Sequence, residues 1–475
     1  MKLSTIALSV AVILGATATG GSWYTGKQVE QRYQELVAQG NESLKQLSQH
    51  GIKAEIKNVN LERSFFTSDV TYSVEVEMDN KTHEFKGNDK IYHGPLPLNR
   101  LIKGNVIPVM ASIDSKITSS ESLKGMFEQP EILVGHSNLS YSSTVDGQFK
   151  TAAFKSEDSS FKASEIDAEF EIAKQGEGKV NVTIPHVQLI DPEGNVDITF
   201  NQAEYRVSFP QESRDYPYLA LGDVDAKIKS LMVKSVEDNS EFEAFEINDL
   251  VAKGKNTVAN DFYEGVADFS TKLALVGKDK NRVELGKMTA DIFMKSDAKA
   301  TDSLMKLAQY APEELQSVNP QKDIEALTAK EIKFHLNNLS FENEKGKHTL
   351  SLVLNSKPFD LNTLFGLGFE PILNVFAQSK LEGSLNIVAF EELIRQLNLM
   401  NTFSKEDAVR SAKAATDELI ANAQNSGLAV VDPDNIKVKI EIDQGKVKLN
   451  GNEVPEQDLQ SVLFMLMLGL GGIGQ

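Results

Sequence analysis

The sequence predicts an α+β protein that is predominantly antiparallel β: an elongated β-rich body with helices packed on it, preceded by one N-terminal membrane helix. Three observations carry this. Apolar residues recur at every second position in successive runs between Gly51 and about Ser296, the period of a strand with one face buried and one wet. The connections between runs are short and polar, which pairs each strand with its sequence neighbour and makes the sheet antiparallel. The chain opens on Leu3 to Gly26 without one charged side chain, and about 20 helical residues suffice to cross ~30 Å of hydrocarbon.

The leader has two readings. In one, Lys2 begins a signal peptide cleaved after Ala16-Thr17-Ala18. In the other, residues 1–26 stay as a signal anchor, with Trp23 and Tyr24 at the membrane–water interface where aromatic rings concentrate. The uncharged run exceeds a normal signal core, which favours the anchor. Either way the chain is exported.

Residues 27–50 form an amphipathic helix: Val29, Tyr33, Leu36, Val37, Leu44 and Leu47 make one stripe and Lys27, Glu30, Arg32, Glu35 and Lys45 fill the other side. The stripe packs on its own domain or on a second copy, the first being preferred. Residues 51–300 are the antiparallel β-rich region, with strands of about 6–10 residues. Val70, Tyr72, Val74, Val76 and Met78 mark one strand, Val180, Val182 and Ile184 another, then Val196, Ile198 and Phe200, and Tyr205, Val207 and Phe209. Asp191-Pro192-Glu193-Gly194-Asn195 is a tight turn, since a calcium loop needs a distal Glu that is missing.

Residues 301–435 mix helices with strands. Helices are expected over Ser303 to Ala311, Asp323 to Lys330 and Phe390 to Met400, and strands over Ile332 to Phe341, Thr349 to Leu354 and Leu385 to Val388. Ser404 with Asp407 three residues on caps a further helix that stops near Gly427. Residues 436–475 hold a β-hairpin, Ile436 to Ile442 returning through Val447 and Leu449, and then an apolar tail too short to span a bilayer.

Composition excludes several functions. There is no cysteine among 475 residues, which removes thiol catalysis, iron–sulfur clusters and cysteine zinc sites. The 68 acidic against 49 basic residues, net −19, argue against nucleic acid and against adsorption of the soluble part onto anionic lipid surfaces. The seven histidines include no pair three or four apart, and no H-E-x-x-H, nucleophile elbow or P-loop occurs. No catalytic, cofactor-binding or metal-ligating residue is assigned, and no cofactor is expected.

One stretch stands apart. His93-Gly94-Pro95, between Ile91-Tyr92 and Leu96-Pro97-Leu98, reads as a rigid extended corner leaving a strand. Together with the hydrophobic leader, Glu62-Arg63-Ser64-Phe65-Phe66-Thr67-Ser68 and Gly445-Lys446-Val447-Lys448-Leu449-Asn450-Gly451, it carries a resemblance over nearly the whole chain. The sequence resembles the YdgA-like family of bacterial envelope proteins of uncharacterised function. The resemblance implies a single-pass anchor in the bacterial inner membrane, a periplasmic body and self-association, and it brings no catalytic residue.

The function expected is therefore non-enzymatic: a membrane-anchored envelope protein whose β-rich body binds a partner protein or an apolar, lipid-like ligand. The alternatives are a dimeric structural or assembly protein and an enzyme with a scattered active site.

Overall fold

The computed structural model describes residues 53–459 apart from 79–80, 121–122, 124, 192–195, 236–241, 278–281, 308–319, 362–369, 377, 401–403, 444 and 456–457, and before them only Val37, Ala38, Asn41 and Leu44. The leader with Trp23 and Tyr24, most of the 27–50 helix, the 191–195 turn and the apolar tail lie largely or wholly outside these residues. Among the described residues no helix is long and apolar enough to cross a membrane.

The chain divides into two units, Met1–Glu237 with Met305–Val318, and Asp238–Leu304 with Asn319–Gln475. The first contains β1 (Lys53–Arg63), β2 (Thr67–Met78), β3 (Lys81–His93), α1 (Leu98–Ile102), β4 (Ala111–Thr118), β5 (Glu131–Leu139), β6 (Val145–Thr151), β7 (Phe154–Lys155), β8 (Phe161–Ala163), β9 (Asp167–Ile172), β10 (Gly178–Asp191), β11 (Val196–Phe209) and β12 (Gly222–Ser235). Strands β1 to β6 pair in sequence order, β6 pairs β9, and β9 to β12 again pair in order, always antiparallel. β8 pairs the far half of β10, and β7 pairs β8.

The core of this unit is built on alternation. Val70, Tyr72, Val74 and Val76 of β2 are all buried, and Phe85, Ile91, Ile113, Ile117, Leu133, Leu139, Val145 and Phe149 continue the same cluster. On this face aromatic rings lie where the neighbouring strand has glycine. Tyr72 covers Gly87, Phe149 covers Gly135 and Phe170 covers Gly147, each directly across the ladder. A glycine leaves a gap in a sheet face, and a ring from the next strand fills it. The rings of Phe149 and Phe170 stack with centroids 5.4 Å apart.

Leu44 is 2% exposed and belongs to this core. Three residues earlier, the Asn41 side-chain amide donates to the Ile56 carbonyl at 3.1 Å and accepts from the Ile56 N–H at 2.7 Å. It satisfies both groups as a neighbouring strand would. Helical residues at this point therefore pack on their own domain.

The second unit contains β13 (Phe242–Ala259), β14 (Phe262–Gly277), β15 (Arg282–Asp297), α2 (Ala298–Leu307, grouped with the first unit from Met305 onward), α3 (Gln321–Thr328), β16 (Ile332–Asn343), β17 (Gly346–Ser356), α4 (Glu370–Val375), β18 (Ser379–Asn386), α5 (Ile387–Met400), α6 (Lys405–Ser426), β19 (Val430–Val431), β20 (Asn435–Asp443), β21 (Lys446–Leu449) and β22 (Asn452–Glu453). β13 to β18 form an antiparallel meander, β20 joins it beside β18, and β21 and β22 are added by hairpins.

The capped helix and the hairpin predicted after it are found. Ser404 accepts the Asp407 N–H at 3.1 Å, Gly427 ends α6 at φ 66°, and the β20–β21 hairpin turns through Gly445 at φ 80°. Two expectations need correction. β4, β5, β6 and β9 fall within the expected 6–10 residues, but many strands are longer, reaching 18 in β13. They run through breaks in the alternation by means of irregularities such as that between Asn248 and Val251, where Asp249 takes φ 49°. The expected strand over Leu385 to Val388 ends at Asn386, and α5 begins at Ile387. Asn386 Oδ1 accepts the Ala389 N–H at 2.9 Å, so Asn386 acts as a helix cap where periodicity alone continued the strand.

Candidate functional site

The two motifs singled out in sequence meet at one end of the first unit. Thr67 lies opposite Tyr92 and His93 opposite Ala111, so the β1–β2 turn and the end of β3 are neighbours. The His93 N–H donates to the Phe66 carbonyl at 2.9 Å. Its ring Nδ1 lies 3.2 Å from the Phe65 carbonyl, and its Nε2 2.9 Å from Ser68 Oγ. A carbonyl only accepts, so the ring proton is on Nδ1 and Nε2 accepts from the Ser68 hydroxyl.

A hydroxyl bonded to an imidazole oriented from behind has the form of a nucleophile and its base. Here Ser68 is 0% exposed, and no substrate carbonyl can reach its oxygen. The pair acts as a bracket between two turns. Removing the imidazole leaves a buried hydroxyl without its partner, so His93→Ala is expected to lose about 1–3 kcal/mol of stability in urea unfolding.

Gly94 and Pro95 complete the corner. Gly94 N–H donates to the Met110 carbonyl at 2.8 Å and Val109 N–H to the Pro95 carbonyl at 3.0 Å. The Gly94–Pro95 peptide is cis. The expected corner is present: β3 ends at His93 and the chain bends over residues 94–96, so it is not extended there.

Behind the corner is a polar layer that sequence reading missed. Asn99 and Arg100 of α1 are both buried, at 8% exposure. Arg100 Nη1 donates to Asn138 Oδ1 at 2.7 Å, and Nη2 to Asn105 Oδ1 at 3.0 Å and the Ile107 carbonyl at 3.3 Å. Asn99 Nδ2 donates to Ser112 Oγ at 3.0 Å. Arg100 Nε and Asn99 Oδ1 have no partner among the described residues. The only signal in the sequence was the absence of a polar face on Leu96 to Ile102 other than these two residues.

The layer continues to a hydrogen bond between His136 Nδ1 and Asp114 Oδ1 at 2.7 Å, His136 lying on the rim of an open cleft of about 340 Å³ that also includes Asn138, Asp146 and Glu169. Among the described residues no group of three or more His, Asp or Glu side chains is placed to hold a metal ion.

A large apolar surface lies on β10, β11 and β12. Three ladder rows are wholly apolar: Val180 with Val207 and Val224, Val182 with Tyr205 and Ala226, Ile184 with Ala203 and Ile228. Eight of the nine side chains are half-buried, Val180 packing against the core of the unit, and Tyr205 is 44% exposed. Beyond Pro185 and Gln202 the apolar positions change parity, to Val187 and Leu189, Phe200 and Ile198, Leu231 and Val233. In a regular pleat that change carries the stripe to the opposite face. Gln202 takes φ 51° at the change.

Comparison with known proteins agrees with the motifs. Protein YdgA of Escherichia coli is 24% identical over the whole of this chain and 99% of its own length. The uncharacterised protein YihF of the same organism is 21% identical over 96% of this chain and 98% of its own. An uncharacterised protein of Haemophilus influenzae is 25% identical over 65% of this chain and 86% of its own. No solved structure matches. The model of one family, described as a bacterial protein of unknown function (DUF945), matches residues 1–457, and the chain belongs to that family.

Proposed function

We propose that this is a non-enzymatic protein of the bacterial envelope, held in the inner membrane by its uncharged leader with the bulk of the chain in the periplasm, whose β-rich body binds an apolar, lipid-like ligand. The observation that supports the ligand is the grid of nine apolar side chains on β10, β11 and β12, none of them fully buried. A closed body of this size would cover such a surface, because apolar area left in water costs ~25 cal/mol per Å². The burial of Ser68 at the corner fits a binding role better than a hydrolytic one.

The test is photo-crosslinking in native membranes supplied with a phospholipid that carries a photoactivatable acyl chain. Peptides containing Val182, Tyr205 and Ala226 are expected to carry the label, and Tyr205→Glu is expected to reduce it. Labelling confined to residues 1–26 would sink the ligand reading while leaving the anchor intact.

A further inference from the structure

We infer that the end of the first unit bearing the β1–β2 turn and the β3–β4 connection docks onto the surface of a phospholipid bilayer, as a second membrane contact separate from the leader. The short helix α1 is inside out. Its polar residues Asn99 and Arg100 are buried, while Leu98 is 58% and Ile102 78% exposed. A surface helix in water turns the opposite way. The loop after α1 exposes Val106 and Ile107 at 67% each, and the β1–β2 turn exposes Phe65 at 86% and Phe66 at 72%.

These six residues share one end of the sheet. The β1–β2 turn precedes Thr67, which lies opposite Tyr92, and the β3–β4 connection joins His93 to Ala111 directly across the ladder. Adjacent strands are ~4.8 Å apart, so the turn and the connection that carry these side chains lie side by side, and exposed apolar groups gathered at one end mark an interaction surface.

The display is held in place from below. Arg100 binds Asn105 Oδ1 and the Ile107 carbonyl, and Asn105 Oδ1 also accepts the Ile107 N–H at 3.1 Å, which fixes the Val106–Ile107 loop. His93 holds the carbonyls of Phe65 and Phe66. The two phenyl rings meet edge to face with centroids 4.7 Å apart. Polar groups are spent inward to keep apolar groups outward, which a soluble surface has no reason to do.

Charge selects the occupant. The chain carries 68 acidic residues, yet there is none from Arg63 to Ser68 and none between Lys90 and Asp114. Arg63 and Lys103 are exposed beside the patch. The net charge of −19 repels anionic lipid from the body at large; these two segments lack carboxylates and pair apolar side chains with flanking cations. That is the composition of an element that lies in the headgroup region, with its aromatic and aliphatic groups below and its cations at the phosphates.

The natural chain has no cysteine, so single labels report cleanly. The full-length protein is placed in vesicles of phosphatidylethanolamine and phosphatidylglycerol with an environment-sensitive fluorophore on Ile102→Cys, on Phe65→Cys, or, as control, on Lys86→Cys, an exposed position of β3 well back from His93. The Ile102 and Phe65 labels are expected to shift to the blue and to be quenched by spin-labelled acyl chains. Quenching at Ile102 is expected to fall several-fold when Lys103→Glu and Arg63→Glu are added. The Lys86 label is expected to keep its aqueous spectrum, and a blue shift there equal to those at Ile102 and Phe65 would overturn a contact made by this end of the unit.

Labels at Ile102 and Phe65 that stay fully accessible to aqueous iodide in vesicles would overturn the inference. So would a blue shift that depends on protein concentration without lipid, which would mark a second copy of the chain as the occupant.

Discussion

Gly94→Ala is expected to destabilise the first unit by about 3 kcal/mol or more, as a shift in the midpoint of urea unfolding. A Cβ on residue 94 would lie 2.0 Å from the Val109 carbonyl oxygen and 2.7 Å from that of Met110. Both are backbone atoms in the connection to β4, and the Gly94 N–H bond to Met110 depends on the same approach. No side chain can rotate away to make room. The comparison is Gly104→Ala, where nothing lies within 4 Å and only the left-handed φ of 74° opposes a side chain. That change is expected to cost about 1–2 kcal/mol. Equal losses at the two positions would show that crowding at the corner is not what selects glycine at 94. Because the corner also holds Phe65 and Phe66, Gly94→Ala is expected to weaken the tip's contact with vesicles even under conditions where the protein stays folded.

Asp89→Asn is expected to do the reverse and stabilise the protein at neutral pH by up to about 3 kcal/mol. Asp89 pairs across the ladder with Val70 and with Ser115, on the face that carries the core. Burial raises its carboxyl from the ordinary 3.8 to about 6, against the hydrogen bonds from Ser115 and Tyr72, which favour the ionised form. The folded state thus holds a proton between pH 3.8 and about 6 that the unfolded chain has released, and stability falls as pH rises through that window. At about 1.4 kcal/mol per pH unit the whole fall is about 3 kcal/mol. An asparagine presents the same acceptor oxygen without the charge. Urea unfolding at pH 4 and at pH 7.5 checks this: the variant is expected to gain at pH 7.5, to be near-neutral at pH 4, and to lose the slope between them. A variant no more stable than the natural chain at pH 7.5 would mean that the carboxylate is solvated well enough to be harmless.

Much of the fold is legible in the residues because local rules and the global sheet agree. Val70 to Val76 alternate and are buried as alternation requires. Ser404 and Gly427 bound α6 by side-chain and backbone chemistry that needs no knowledge of neighbours. The β20–β21 hairpin arises from its own turn. Asn386 marks the limit of this reading: its side chain can continue a strand or cap a helix, and tertiary packing makes the choice.

The candidate sites divide in the same way. Sequence by itself determined that the body is β-rich and antiparallel, that an uncharged leader precedes it, and that His93-Gly94-Pro95 is a corner, because period, charge and proline geometry are properties of a few adjacent residues. Only the tertiary structure decided that Ser68 lies across from His93, that Arg100 points inward while Ile102 points out, and that none of the side chains in the apolar rows on β10, β11 and β12 is fully buried. Each of these depends on which side chain faces which across a ladder or beneath a turn, and a one-residue change of register or a half-turn of a short helix reverses it without altering the pattern along the chain.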